Sequence, residues 1–144
     1  MRLSRESRYA LIGMIALGNK PEGTIVGAAE LAQESDLPAP FMAKILQRLT
    51  RRGLLVSHRG RVRGYEIARR LDAITVSEVL EAIDGEDALS RCLFVSESCD
   101  ASHPCPLHEV WQPMAEVVAL RLRRMKLADV DPRTVGAERV VGTG

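Results

Sequence analysis

Residues 39–70 read APFMAKILQRLTRRGLLVSHRGRVRGYEIARR, and this stretch decides the fold. Its first part, about 39–52, repeats apolar residues every three or four positions, which predicts an amphipathic helix. Gly53 follows directly, as a glycine does at the C′ position after a helix. The side chains that we expect to face the core are Phe41, Ile45, Leu46 and Leu49.

Two short runs after this helix predict a β-hairpin. Residues 54–57 (LLVS) and 65–68 (YEIA) favour strands, and the segment between them, 58–64 (HRGRVRG), contains two glycines. Upstream, helical periodicity covers about 4–18 and 27–35. A helix, a second helix, a turn, a third helix and a hairpin follow one another in a winged helix domain. The predicted fold class is therefore mainly α with a small β-hairpin, a winged helix-turn-helix domain.

The charges are divided unevenly along the chain. Residues 1–70 hold 13 Lys/Arg and 6 Asp/Glu, whereas residues 71–144 hold 7 and 13, so the net charge of +1 conceals a basic half and an acidic half. Between Lys44 and Arg70 there are nine Lys/Arg and one acid, Glu66. This positive charge falls on the third helix and the hairpin loop, the two elements that a winged helix directs at DNA. The alternative is a basic face that is merely solvated.

The candidate DNA contacts follow from that arrangement. The third helix would supply contacts to base edges or phosphates, because Lys or Arg to guanine is the usual specific pair, and the wing would neutralise phosphates or enter a minor groove. The candidate DNA-binding residues are Arg2, Arg5, Lys44, Gln47, Arg48, Arg59, Arg61 and Arg63. The expected partner is a double-stranded, pseudo-palindromic operator. A winged helix that binds a protein instead is the alternative, which absence of salt-dependent duplex binding would favour.

The second half of the chain predicts a short helix at 75–83 and a long one that opens at Pro106 and continues to about residue 127. Apolar side chains recur along the long helix at steps of three and four, namely Leu107, Val110, Trp111, Met114, Val118, Leu122 and Met125. Such a long stripe extends past the small domain and predicts a second copy of the chain as its partner, giving a homodimer. The alternative is that the stripe folds back on its own domain.

All three cysteines lie in the segment Cys92-LFVSES-Cys99-DASHP-Cys105, and His108 follows. An odd number of cysteines, crowded together, argues against a disulfide framework. With the spacing C-x6-C-x5-C-x2-H, three thiolates and an imidazole can converge on one soft metal centre. Cys105 would also lie beside a helix N-terminus, which favours the thiolate. His103 is a competing ligand.

The spacing leaves three interpretations of this segment open. Wide, irregular gaps suit an iron–sulfur cluster, which is broader than one ion. Zinc accepts three thiolates and one imidazole in a closed tetrahedron, although structural zinc usually has tight C-x2-C knuckles. The third interpretation is free thiols, one of them a redox sensor.

The predicted elements and the cysteine segment together divide the chain into four parts. They are a winged helix DNA-binding domain (1–84), a cysteine-rich metal-binding loop (85–106), a dimerisation helix (107–127) and a flexible tail (128–144).

Several stretches together resemble the Rrf2 family of winged helix regulators, and within it the IscR branch. They are MRLSRESRYA, ILQRLTRRGLL, SHRG with Gly64-Tyr65, ITVSEVLEAIDG, and Arg91-Cys92 through CPLHEVW, so that the resemblance spans about 1–127. Three departures are visible. The gap between Cys92 and Cys99 is one residue longer than in the IscR branch. The wing GRVRGY at 60–65 is more cationic than the usual Gly-Pro-Gly-Gly-Gly-Tyr, and Ala43 stands where the IscR branch has a base-reading glutamate.

The resemblance implies a homodimeric, cytoplasmic repressor whose operator binding is controlled by a [2Fe-2S] cluster that senses redox, iron or nitric oxide status. The implied ligands are Cys92, Cys99, Cys105 and His108. Members that sense nitric oxide tend to carry an acidic ligand where this chain has Arg8, so the histidine favours the IscR mode. Glu6 is a further candidate for a ligand from the first helix.

Two classes of protein are not expected. We do not expect an enzyme, because the sequence has no Gly-rich phosphate loop and no motif of paired catalytic carboxylates, and it holds three histidines in all. A membrane protein is not expected either, because no apolar run is long enough for a membrane helix.

Overall fold

The computed structural model describes residues 3–91, 102 and 104–135. The helices and strands are, in chain order, α1 (Arg5–Gly18), α2 (Ala28–Glu34), α3 (Ala39–Arg51), β1 (Leu55–His58), β2 (Gly64–Ile67), α4 (Val76–Asp84), α5 (His108–Arg124) and α6 (Pro132–Val135). A helical domain with one two-stranded antiparallel hairpin results, which confirms the predicted fold class.

Helices α1 to α4 enclose one apolar core. The side chain of Ser4 caps α1 by accepting the Ser7 N–H at 3.0 Å, and Pro40 stands in the first turn of α3, where a missing N–H costs nothing. The largest fully buried side chains include Met14, Ile15, Leu31, Met42, Ile45, Leu46, Leu49, Ile74 and Leu80. This packing fixes α3 on the domain and leaves its other face exposed.

The hairpin is anchored to the loop between α1 and α2. Leu55 lies opposite Ile67 and His58 opposite Gly64. Tyr65 also exchanges two backbone hydrogen bonds with Val26, at 2.8 and 3.0 Å, so a third segment extends the hairpin. Gly64 is required here, because it has φ 141° and a Cβ would collide with the Val26 carbonyl.

Phe41 is a correction to the sequence prediction. It is 41% exposed, and Met42 takes the inward position with no exposed surface. The physical reason is the phase of the helix: Met42 lies three and four residues before Ile45 and Leu46 and so completes their stripe. Phe41 is rotated by one residue to the edge of that stripe, where its ring meets the edge of Tyr9.

Helix α5 has two apolar faces rather than the one stripe that the sequence predicted. Trp111, Ala115 and Ala119 are buried against the domain. The opposite face is exposed and carries Val110, Met114, Val117 and Leu120.

After α5 the chain returns to the domain, because Leu127 is fully buried and its N–H donates to the Ile74 carbonyl at 2.9 Å. Residues 127–135, most of them assigned to the tail by sequence, therefore pack on the core.

A capping box begins α4. Thr75 Oγ1 accepts the Glu78 N–H, and the Glu78 carboxylate accepts the Thr75 N–H at 2.8 Å and a bond from Arg69 at 2.7 Å. Partial burial raises the pKa of Glu78, but the Thr75 N–H and the Arg69 guanidinium outweigh it, so the pKa lies below its ordinary 4.5. The carboxylate thus stabilises the folded state only while it is charged.

We expect Glu78→Gln to lower the free energy of unfolding by about 0.5 kcal/mol at neutral pH, the size of an exposed ion pair near a helix N-terminus. Because the folded-state pKa is lowered, this difference is fully present above the unfolded-state value and vanishes as the pH falls through the folded-state value. Urea unfolding of both proteins between about pH 7 and pH 3 measures it. Glu22→Gln, in an exposed loop, controls for the loss of one charge. A difference in the free energy of unfolding between Glu78→Gln and the parent that did not change with pH would contradict the prediction.

Candidate nucleic-acid interface and metal centre

The exposed face of α3 carries the residues that the sequence assigned to DNA. Lys44, Gln47 and Arg48 are all exposed. They line one shallow groove with Phe41 and Arg51, and Glu6 of α1 forms its far side. The guanidinium of Arg48 lies 3.4 Å from the Ile83 carbonyl at the end of α4, which holds this side chain against the domain.

The wing loop presents three further cations. Arg59, Arg61 and Arg63 are exposed. Arg63 Nε donates to the Gly60 carbonyl at 3.2 Å and closes the loop. Of the two N-terminal candidates, Arg5 is exposed at the start of α1, and Arg2 lies outside the described residues.

The acid of the wing is paired within the hairpin. His58 Nε2 lies 2.7 Å from Glu66 Oε2. The register places Glu66 opposite Val56, so His58 and Glu66 are diagonal neighbours on one face of the hairpin. This pairing keeps the Glu66 carboxylate beside His58 on the strands. The charged groups of the loop between the strands are therefore arginines alone.

The start of α1 is bonded to the end of α4. Ser4 Oγ lies 2.9 and 2.8 Å from the two carboxylate oxygens of Asp84, and Ser7 Oγ donates to Oδ2 at 2.6 Å. Ser7 has no exposed surface, and its hydroxyl finds its acceptor in this carboxylate.

Arg91, the residue before Cys92, is held from both sides. Its Nη2 donates to the Asp84 carbonyl at 2.6 Å, and its guanidinium contacts the Asp87 carboxylate. This pairing lowers the pKa of Asp87 and raises the pKa of Arg91, through the hydrogen bond first and the opposite charges second. The Arg91 carbonyl accepts the indole N–H of Trp111 at 2.9 Å. The chain therefore enters the cysteine segment from a position fixed between α4 and α5.

Two of the four predicted metal ligands lie in the described part of the chain. Cys105 is half-buried just before α5, His108 is the first residue of that helix, and the His108 N–H donates to the Cys105 carbonyl at 3.0 Å. Cys92, Cys99 and the competing His103 lie outside the described residues. Within 3–91, 102 and 104–135, no group of three or more His, Cys, Asp or Glu forms a metal site. A thiol and an imidazole on one turn are donors that an iron–sulfur cluster or zinc accepts, so the described half of the set fits either.

Comparison with known proteins identifies the family. The Rrf2 family, described as iron-dependent transcriptional regulators, matches residues 3–132. The chain belongs to the Rrf2 family. A helix-turn-helix (HTH) transcriptional regulator of Mycobacterium tuberculosis is 34% identical over 130 residues, which cover 90% of this chain and 81% of that protein. The HTH-type transcriptional regulator IscR of Cereibacter sphaeroides is 29% identical over 134 residues, 90% of this chain and 86% of that protein.

A solved Rrf2-like fold gives the same result. The structure of CymR (YrzC), the global cysteine regulator of B. subtilis, superposes with a TM-score of 0.70 at 25% identity, covering 90% of this chain and 95% of that one. The Rrf2 resemblance and the winged helix predicted from sequence are thereby confirmed. In the described part of this Rrf2 protein, no helix is long and apolar enough to cross a membrane.

Sequence reasoning missed three features of this Rrf2 chain: the Asp84 contacts, the role of Arg91 and the His58–Glu66 pair. The last has a signal in the sequence, because a hairpin centred on residues 60–62 places 58 and 66 on one face. The ion pair of Arg91 with Asp87 has the i,i+4 spacing that a sequence can show. The bonds of Asp84 with Ser4 and Ser7 join residues up to 80 positions apart, and no local pattern indicates them.

Proposed function

We propose that the protein is a repressor that binds a pseudo-palindromic operator as a homodimer, and that a [2Fe-2S] cluster on Cys92, Cys99, Cys105 and His108 controls this binding. The observation that carries the proposal is the position of Arg91. It ties the start of the cysteine segment to α4 and α5 of a winged domain whose α3 and wing are cationic.

The DNA part of the proposal follows the docking of winged helix domains. Helix α3 enters a major groove, where Lys44, Gln47 and Arg48 reach base edges or phosphates. Arg59 and Arg61 extend from the wing to phosphates or a minor groove. Their exposure and their shared cationic surface support these roles.

We expect Arg61→Ala to weaken binding to all duplex sequences alike and to reduce the slope of log affinity against log salt by about 1, because one phosphate contact is lost. Fluorescence anisotropy titrations of operator and unrelated duplex, at about five salt concentrations, measure both effects. Arg133→Ala, which removes another exposed arginine, one that is paired with Asp131 at α6, is the control for the loss of one positive charge. Unchanged affinity and salt slope for Arg61→Ala would remove the wing from the interface.

The dimer follows from the outer face of α5. Val110 and Val117 are 63% and 60% exposed, and with Met114 and Leu120 they form a continuous apolar strip on a helix of 17 residues. Adjacent exposed apolar groups of this size mark an interaction surface. Burial against the same face of a second copy would satisfy both strips. To read a pseudo-palindromic operator, such a dimer needs its two α3 helices about 34 Å apart.

We expect Val117→Asp to convert the dimer to a monomer, because a carboxylate would be buried at the centre of the strip. Sedimentation equilibrium over a hundredfold range of protein concentration measures the change. Val62→Asp, on the wing tip and 61% exposed, is the matched control and should stay dimeric. A dimer that is equally stable with Val117→Asp would exclude this face.

The metal part of the proposal rests on the donor set and on the relatives. The family description names iron dependence, and the Cereibacter relative is an IscR. When bound, the cluster supplies a redox-active centre whose presence depends on iron supply and oxidants. Cys105 and His108 would hold it from the start of α5, and Cys92 and Cys99 from the preceding segment.

Changes in residues 92–105 would reach the DNA-binding domain through Arg91. Its carbonyl is bonded to Trp111 of α5 and its guanidinium to the Asp84 carbonyl of α4. The Asp84 side chain in turn holds the start of α1. The ordering of the cysteine segment would thus bias how α5, and with it the partner subunit, is set against the reading helix.

We expect anaerobically purified protein to show broad visible absorption bands that require both iron and sulfide, and Cys105→Ala to lose them. Operator affinity should differ between the loaded and cluster-free forms by about 5- to 150-fold, the usual range for coupled sites. Metal and sulfide analysis together with anaerobic DNA titrations measure these effects. Equal operator affinity for the two forms would remove the sensor function and leave DNA binding intact.

Trp111→Phe provides a sharper test of the coupling route. It keeps an aromatic ring in the buried site but removes the N–H that binds the Arg91 carbonyl. Cluster content should be unchanged while the affinity difference between the two forms shrinks.

A second candidate function keeps the same DNA-binding scaffold but replaces the cluster with a structural zinc or a cysteine thiol switch. The similarity to CymR, whose Staphylococcus aureus form was also solved in an oxidized state, favours the thiol version. A colourless protein with one zinc per subunit, or with no metal and a thiol-dependent operator affinity, would establish this candidate instead.

A further inference from the structure

Phe41 is an exposed aromatic side chain on a surface made otherwise of charged and amide groups. Of the large apolar residues of α3, Met42, Ile45, Leu46 and Leu49 are buried, and Phe41 alone is exposed. At 41% exposure, part of the phenyl ring packs on the domain and the rest offers apolar surface for contact with a ligand.

The ring is held in place by the domain. Tyr9 of α1 meets it in an edge-to-face arrangement, with the ring centroids 6.5 Å apart and the planes at 71°. This geometry is favourable for aromatic pairs, so the exposed ring has a fixed orientation before it binds anything. Little side-chain entropy is then lost on contact.

Phe41 lies in the first turn of α3, with Lys44 and Arg48 three and seven residues further on, and all three line one groove. The first turn of the reading helix is the part that approaches base edges in helix-turn-helix complexes. A phenyl ring has no group that can donate to a phosphate, so a backbone contact would not use it.

The C5-methyl group of thymine is the apolar feature that base edges present in the major groove, and Phe is among the side chains that contact it. We propose that Phe41 is a specificity-determining residue that recognises a thymine in each operator half-site through this methyl group. The proposal rests on the function proposed above, in which α3 enters the major groove.

Deoxyuridine tests it, because uracil differs from thymine by the methyl group alone. An operator is first selected from random duplexes with the full-length protein. Each thymine position is then replaced in turn by deoxyuridine in both half-sites, and affinity is measured by anisotropy. At one thymine position per half-site we expect a loss of about fourfold for each half-site, the contribution of one buried methyl group. Equal affinity for every deoxyuridine operator would overturn the proposal without any variant.

Phe41→Ala and Phe41→Leu complete the test. For Phe41→Ala, the thymine and deoxyuridine operators should bind equally, whereas Phe41→Leu should keep part of the difference. Met125→Ala, which removes a side chain of matched exposure at the end of α5, should keep all of it. The same deoxyuridine penalty in both Phe41 variants as in the parent would assign the methyl contact to another residue and overturn the proposal. A complete loss of salt-dependent duplex binding in the parent protein would be a different result, because it rejects the DNA-binding function itself.

Discussion

The cysteine segment starts from a point that depends on one contact, that of the Asp84 carboxylate, which binds the end of α4 to the start of α1. It stands at the C-terminal end of α4, where the helix dipole disfavours a negative charge. Its compensation comes from the N-terminal end of α1, through the hydroxyl groups of Ser4 and Ser7. A partly buried carboxylate needs such partners, so the two helix ends cannot separate without leaving it unsatisfied.

This contact gives the cysteine segment a fixed origin. Gly85 reverses the chain with φ 95°, and Arg91 then returns to the Asp84 carbonyl, so the loop is closed at its base. The second end of the segment leads into α5, whose Trp111 is bonded back to Arg91. The described residues on either side of this segment, Arg91 and α5, are therefore joined directly by the hydrogen bond of Trp111.

Local patterns in the sequence predicted the helices, the strands and the exposed charges, which are set by interactions between residues that are close in the chain. The helices, the hairpin and the exposed cations of α3 and the wing follow from periodicity, glycines and charge, and they are present in the structure. The position of Phe41 was predicted wrongly, because Phe41 and Met42 both complete an apolar stripe and the choice between them depends on how α1 packs. The double face of α5 was missed because Ala115 and Ala119, which the predicted stripe left out, are buried with Trp111 against the domain.

Charge and spacing also indicated the candidate sites, but not their connections. The four predicted ligands were chosen by residue type, and the structure describes Cys105 and His108 among them. The Asp84 contacts had no signal, since a serine–aspartate bond across 80 residues leaves no periodic trace. Long-range polar contacts of this kind are set by the tertiary fold and are visible only once the fold is known.

The wing is attached to the domain by main-chain atoms. Val26 and Tyr65 exchange N–H and carbonyl groups, and the one side-chain requirement of the joint is the absence of a Cβ at Gly64. Residues 61–63 at the tip are exposed and contribute nothing to the joint. The tip can therefore accept substitutions without loss of the anchorage, and evolution can adjust the charge of the loop while the scaffold is inherited intact.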